Sequence, residues 1–172
     1  MPISNTVLIP YVVSHMGAVS PMPRSILDIG PGAGWYACLF RGLFETRPWM
    51  SCVEAIPEYV AMFNLRGVYD EVHVNDVMLA DDELLNSCDA VFMGDVIEHL
   101  TLLDGHLLLG RIRKPVIIAT PVEFFHNGPG LPWSETHRSL WTEKEFAATG
   151  RVQRHDTIHG GHVVTLRGIS PG

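Results

Sequence analysis

Short apolar runs alternate with amphipathic stretches along most of this chain, and that alternation predicts a sheet with helices on both faces. Ser25–Ile29 (SILDI) reads as a buried strand running into a glycine-rich turn. Residues 33–44 follow as a helix, with Tyr36, Leu39, Phe40 and Leu43 on one face. Further strands are expected at 51–54, Glu71–Val74, 89–93 and 115–119. Between them lie a helix over 57–65, with proline in its first turn and Gly67 beyond its end, and a short helix opened by Asp81 and Asp82. A longer helical region ends near Arg113. Residues 120–139 have almost no periodicity, and a loop of that length is usually functional. Thr142 and Glu145 form a capping box for a helix through Ala148. Val152–Ile158 and 162–166 close the chain as a hairpin about Gly160-Gly161.

Composition narrows the class without changing the architecture. The 172 residues are 47% hydrophobic and 18% charged, which suits one folded domain over 1–172. The net charge of −7 leaves nucleic-acid binding dependent on a local basic patch, for which Arg111, Arg113, Lys114, Arg138, Arg151 and Arg154 are the candidates. Cys38, Cys52 and Cys88 form no CxxC pair and read as small buried hydrophobes of a reducing compartment. Met16, Met22, Met50 and Met62 read as core or cap fillers. The uncharged first 23 residues lack the basic start of a leader peptide, and Asn5, Pro10, Ser14 and His15 interrupt them. A cytoplasmic location without membrane partners is expected.

The turn Asp28-Ile-Gly30-Pro-Gly32-Ala-Gly34 sits between a strand and a helix, where glycines admit close ligand approach and helix N–H groups face the ligand. Its G-x-G-x-G spacing departs from the dinucleotide fingerprint G-x-G-x-x-G, which argues against a dehydrogenase. A carboxylate at Asp28 repels a pyrophosphate and attracts an ammonium group. Glu54 ends the second strand and suits a ribose diol. Asp76 and Asp95 follow the third and fourth, so four acids fall along one rim of the sheet, and Asp76 suits an adenine amino group.

These segments, ILDIGPGAGWY, CVEAIPEYV, VNDV, DAVFMGDVIEHL and PVIIATP, resemble those of class I S-adenosylmethionine-dependent methyltransferases over residues 24–121. The resemblance implies an α/β, Rossmann-like fold: a mostly parallel seven-stranded sheet, helices on both faces and a C-terminal antiparallel hairpin. It implies that Asp28, Gly30, Gly32 and Gly34 hold the methionine portion, Glu54 the ribose, Asp76 and Val77 the adenine, and that Asp95 lies beside the transferred methyl. The implied activity is methyl transfer to oxygen or nitrogen of a small molecule, with S-adenosylhomocysteine as product. The other readings are a metal-assisted RNA or ribose 2′-O-methyltransferase and a non-catalytic S-adenosylmethionine-binding module.

A base for the acceptor proton is sought among Asp95, Glu98, His99, His126 and His137. Asp95, Glu98 and His99 stand at i, i+3 and i+4, one face of a helix that starts near Asp95. With His137 four residues before Trp141, they are similar to the divalent-metal site of the small-RNA 3′-terminal 2′-O-methyltransferases. Asp95 stands there in place of a longer glutamate, and the metal is taken as the minor reading. Asp95, His99 and His137 are the catalytic candidates. Phe124, Phe125, His126 and Trp133 are expected over the same rim. Residues 4–19 are expected as a helix broken at Pro10 across the cofactor cleft, with Tyr11 as a contact. His155, His159 and His162 are expected at a solvated hairpin tip.

Overall fold

The computed structural model describes residues 5–123 and 136–169. Seven strands form one sheet: β1 (Ser25–Ile29), β2 (Trp49–Glu54), β3 (Glu71–Val74), β4 (Ala90–Gly94), β5 (Val116–Pro121), β6 (Val152–Ile158) and β7 (Gly161–Leu166). Their spatial order is β3-β2-β1-β4-β5-β7-β6, parallel through β5, with β7 antiparallel to β5 and β6 antiparallel to β7. The mostly parallel sheet with a terminal hairpin is therefore as expected.

Both faces of the sheet are covered, so the central strands read as continuous apolar runs. Leu27, Ile29, Val91, Met93, Val116 and Ile118 face one layer, which contains Leu108 and Leu109 of α6 (Leu102–Arg111) and Phe146 of α7 (Glu143–Ala147). Ile26, Met50, Cys52, Ala90, Phe92 and Ile117 face the other, built from α1 (Ile9–Gly17), α2 (Trp35–Leu43) and Leu65 of α4 (Leu65–Val68). The chain runs outward from β1 through β2 to β3, then restarts at β4 on the other side. That reversal opens a crevice at the carboxyl ends of β1 and β4, where ligands of such sheets bind.

Several local expectations are corrected. The helix expected over 57–65 is two: α3 (Pro57–Met62) and α4, broken where Asn64 takes φ 48°, with Gly67 inside the second rather than after it. Pro10 does not break the N-terminal helix; it sits in the first turn of α1, where its missing N–H costs nothing. That helix packs on β5 and β7 on a face of the sheet, not across the cleft, because Val12 and Met16 are apolar at helical spacing, and Tyr11 faces outward. Cys38 is exposed, as are Met22 and Met62, whereas Met16, Met50, Cys52 and Cys88 are core residues. Leu43 is also exposed, leaving Tyr36 and Phe40 to bury the inner face of α2. Asp81 and Thr142 cap as expected, the latter in a full capping box with Glu145. No helix among the described residues is long and apolar enough to cross a membrane.

Candidate functional site

The glycine turn lies at the crevice. Gly30 has φ +66°, and a Cβ there would come within 2.5 Å of Val96 Cγ2, so the turn and the segment after β4 meet in direct contact. Gly34 has φ +74° at the N-cap of α2, with the Tyr69 ring 3.4 Å from where its Cβ would be. A larger residue at either position meets both strain and a clash.

The expected acids do fall at strand ends along this rim, Asp28 held by a residue distant in sequence and Glu54 and Asp76 by backbone N–H groups two residues on. Asp28 is 2% exposed and accepts the Tyr69 hydroxyl at 2.5 Å. Burial pushes its carboxyl up to about 7; the Tyr69 hydrogen bond opposes that shift and Glu54 adds to it. Glu54 is buried, and its Oε1 accepts the Ile56 N–H at 2.8 Å. Asp76 follows β3 and accepts the Met78 N–H at 2.9 Å. Val77 turns its side chain into the core cluster that contains Leu85.

Asp95 follows β4 with φ 54°, a conformation that costs a non-glycine residue roughly 1 kcal/mol or more and tends to cluster at functional sites. Its N–H donates to Ala119 O at 2.9 Å, which fixes it at the mouth of the crevice. The helix expected to start near Asp95 does not: Ile97–His99 is a single 3₁₀ turn, and α6 begins only at Leu102. Glu98 and His99 nonetheless share one locus with His137.

Glu98, His99 and His137 each present a ligand atom within 4.8 Å of the others. The chain after the long loop is clamped there, because the N–H groups of Arg138 and Ser139 both donate to Glu98 O, at 2.8 and 3.1 Å. Trp141 anchors the clamp: it is fully buried, donates to Ser139 Oγ at 3.1 Å, and fills the space left by Gly105, whose Cβ would come within 2.4 Å of its ring. The His99 and His137 rings meet edge to face, 5.0 Å apart. Thr120 at the end of β5 donates to Glu98 Oε2 at 3.0 Å, whereas Glu98 Oε1 and His99 Nδ1 are buried with no hydrogen-bond partner among the described residues. Burial pushes the Glu98 carboxyl up to about 8, and the neighbouring Asp95 charge adds to that. Burial, then His99, lowers the pKa of His137. One carboxylate and two imidazoles, partly unsatisfied inside the protein, form a donor set that fits a divalent transition-metal ion. Asp95 is close enough to act on Glu98 but stands outside the three-residue cluster, so the four-residue arrangement expected from the spacing is seen as three.

Thr120 and Tyr69 carried no signal in the sequence, since each acts through a residue 22 and 41 positions away. Phe124, Phe125, His126 and Trp133 lie outside the described residues. His162 is buried rather than solvated, with Nδ1 3.0 Å from His155 Nε2, while His159 is exposed. Three of the six basic candidates are committed internally: Arg111 to Asp82 and two carbonyls, Arg151 to four carbonyls, Arg154 to Ser14 and Asp156.

No family model matches the sequence, and no curated protein matches it. Solved structures match the fold over nearly the whole chain. An O-methyltransferase family protein from Burkholderia thailandensis is 13% identical at a TM-score of 0.64, covering 96% of this chain and 57% of its own. The mitomycin 7-O-methyltransferase is 17% identical at 0.64, covering 95% of this chain and 54% of its own. A 1,6-didemethyltoxoflavin-N1-methyltransferase from Burkholderia thailandensis, bound to S-adenosylhomocysteine, is 18% identical at 0.69, covering 96% of this chain and 79% of its own. The fold is that of the S-adenosylmethionine-dependent methyltransferases. The chain spans little more than half the length of the first two of these proteins.

Proposed function

We propose that the protein is an S-adenosylmethionine-dependent methyltransferase acting on an oxygen or nitrogen of a small-molecule acceptor. The observation that carries this reading is the row Asp28, Glu54, Asp76 and Asp95 at successive strand ends around the glycine turn, at the point where strand order reverses. The mitomycin and toxoflavin enzymes of the same fold support a small acceptor. In this reading Glu54, oriented by the Ile56 N–H, accepts from the ribose hydroxyls, and Asp76 accepts from the adenine amino group. Asp28 faces the amino group of the methionine portion, beneath Gly30, Gly32 and Gly34. The bound cofactor supplies an electrophilic methyl on a sulfonium.

The chain's own task is then alignment and proton removal. Asp95, His99 and His137 line the acceptor side, and the lowered pKa of His137 keeps it neutral and able to accept a proton near pH 7. Calorimetric titration with S-adenosylhomocysteine tests the cofactor site. Wild type binds, and Glu54→Ala loses about 100-fold in affinity as two charge-assisted hydrogen bonds go. A wild-type protein that gives no heat contradicts the reading. Tight binding without methyl transfer to any hydroxyl or amine acceptor identifies a silent binding module instead.

The convergence of Glu98, His99 and His137 favours a second reading, in which they hold a divalent cation beside Asp95 and the acceptor is a hydroxyl, a ribose 2′-hydroxyl included. A cation there supplies polarisation of the hydroxyl and a lowered hydroxyl pKa. Thr120 holds one oxygen of Glu98, and the Glu98 carbonyl holds the His137 segment, so these residues keep the donors converged. Activity that is abolished by chelator and restored by Mn²⁺ supports this reading; activity indifferent to chelator removes it.

A further inference from the structure

Asp28 is an acid placed in an apolar layer. It shares the face of Ile26 on β1, pairs in register with Cys52 and Phe92, and lies on the side of the sheet that holds Phe40 and Leu65. A buried carboxylate there needs a donor, and it comes from a distant element. Tyr69 follows α4, its N–H donates to Leu65 O at 2.8 Å, and its ring passes beneath Gly34 to reach Asp28. The next residue locks the approach: Asp70 N–H donates to Met50 O, while its carboxylate accepts from Met50 N–H and from Arg41. The break at Asn64 turns the chain toward the sheet at this point.

We propose that Tyr69 is a positioning residue for the amino group of the cofactor: by donating a hydrogen bond to Asp28 Oδ2, it favours the ionised carboxylate and fixes it in rotation beneath the glycine turn. The inference rests on the methyltransferase reading above. An ammonium group gains a charged partner only if the carboxylate is ionised, and burial and the Glu54 charge oppose ionisation. Glu54 is a like charge beside Asp28, the Cys52 thiol of β2 lies next to both, Cys38 of α2 acts on Tyr69, and Arg66 of α4 acts on Cys52. Tyr69 counters that bias through its hydrogen bond. Burial and the Asp28 charge raise the Tyr69 hydroxyl well above its ordinary pKa, so it remains a donor throughout the working pH range. Phenylalanine at 69 keeps the ring beneath Gly34 and removes only the donor.

The experiment compares two ligands on wild type and Tyr69→Phe: S-adenosylhomocysteine, and 5′-methylthioadenosine, which has the same nucleoside without the amino acid portion. Calorimetry at intervals between about pH 6 and 8.5 reads both. Tyr69→Phe is expected to bind S-adenosylhomocysteine about tenfold more weakly at pH 7. Its binding curve shifts to higher pH, and the deficit shrinks toward pH 8.5 as Asp28 ionises unaided. Methylthioadenosine binding stays unchanged, which also reports an intact fold. Equal losses on both ligands, or an unchanged S-adenosylhomocysteine profile, overturn the assignment. A wild type that binds neither ligand at any pH overturns the cofactor reading and this inference with it.

Discussion

The two sides of the crevice are built on opposite plans. On the side of β1, β2 and β3, the acids are engaged within the protein: Asp28 by Tyr69, Glu54 by the Ile56 N–H and Asp76 by the Met78 N–H. Beyond β4, Glu98 Oε1 and His99 Nδ1 are buried with no hydrogen-bond partner among the described residues. A folded protein rarely leaves such groups unsatisfied, since each costs roughly 1–3 kcal/mol. In the proposed reading the first side is the cofactor side, its acids already oriented. The second carries a cost that a cation or acceptor bound there would offset.

Removing a donor from the strained side has the largest expected consequence. His99→Ala should abolish any thermal stabilisation of wild type by Mn²⁺ and lower methyl transfer to a hydroxyl acceptor by about 100-fold or more. Its affinity for S-adenosylhomocysteine should stay at the wild-type value, because His99 lies outside the glycine turn. Scanning calorimetry with and without Mn²⁺ reads the first effect. An unchanged Mn²⁺ response in His99→Ala would dissolve the contrast between the two sides.

A smaller effect sharpens the account of the engaged side. The Asp28 carboxyl is raised from 3.8 to about 7, so the folded state holds its proton more tightly than the unfolded chain does. The stability this contributes is fully present below about pH 4 and is lost as pH rises through about 7. Asp28→Asn keeps an acceptor for Tyr69 and has no charge to bury. It should therefore gain about 4 kcal/mol relative to wild type between pH 4 and pH 8, while losing cofactor affinity. Urea unfolding at the two pH values measures the difference, and an equal difference at both would contradict the burial argument.

The smallest effect lies away from the crevice. Thr142→Ala removes the capping box of α7 and should cost about 1 kcal/mol of stability without changing the binding of either ligand. A change in cofactor affinity in that variant would mean that the two sides are mechanically linked to the hairpin layer.

This contrast also marks what could be read from the chain. Strand ends are local features, so the glycine turn, Glu54, Asp76 and Asp95 were legible from apolar runs and the residues that follow them. The capping residues Asp81 and Thr142 were legible for the same reason. The meeting of Glu98, His99 and His137 was visible only as a spacing, and that spacing suggested a helix where the chain makes a 3₁₀ turn. What closes the cluster is a carbonyl of residue 98 held by the N–H groups of 138 and 139, a contact that no periodicity encodes. Tyr69 and Thr120 were invisible for the same reason: each looks like an ordinary strand-flanking residue until the sheet order is known. The break between α3 and α4 escaped because Asn64 and Gly67 supply their turn within an otherwise helical apolar pattern.

The most direct test of the account is one calorimetric titration of the full chain with S-adenosylhomocysteine, run first in chelator and then with Mn²⁺ present. Saturable binding is expected in both, with the same affinity, because the proposed cofactor side is complete within the protein and the Glu98, His99 and His137 cluster is separate from it. No binding in either condition would contradict the claim that this rim is a cofactor site.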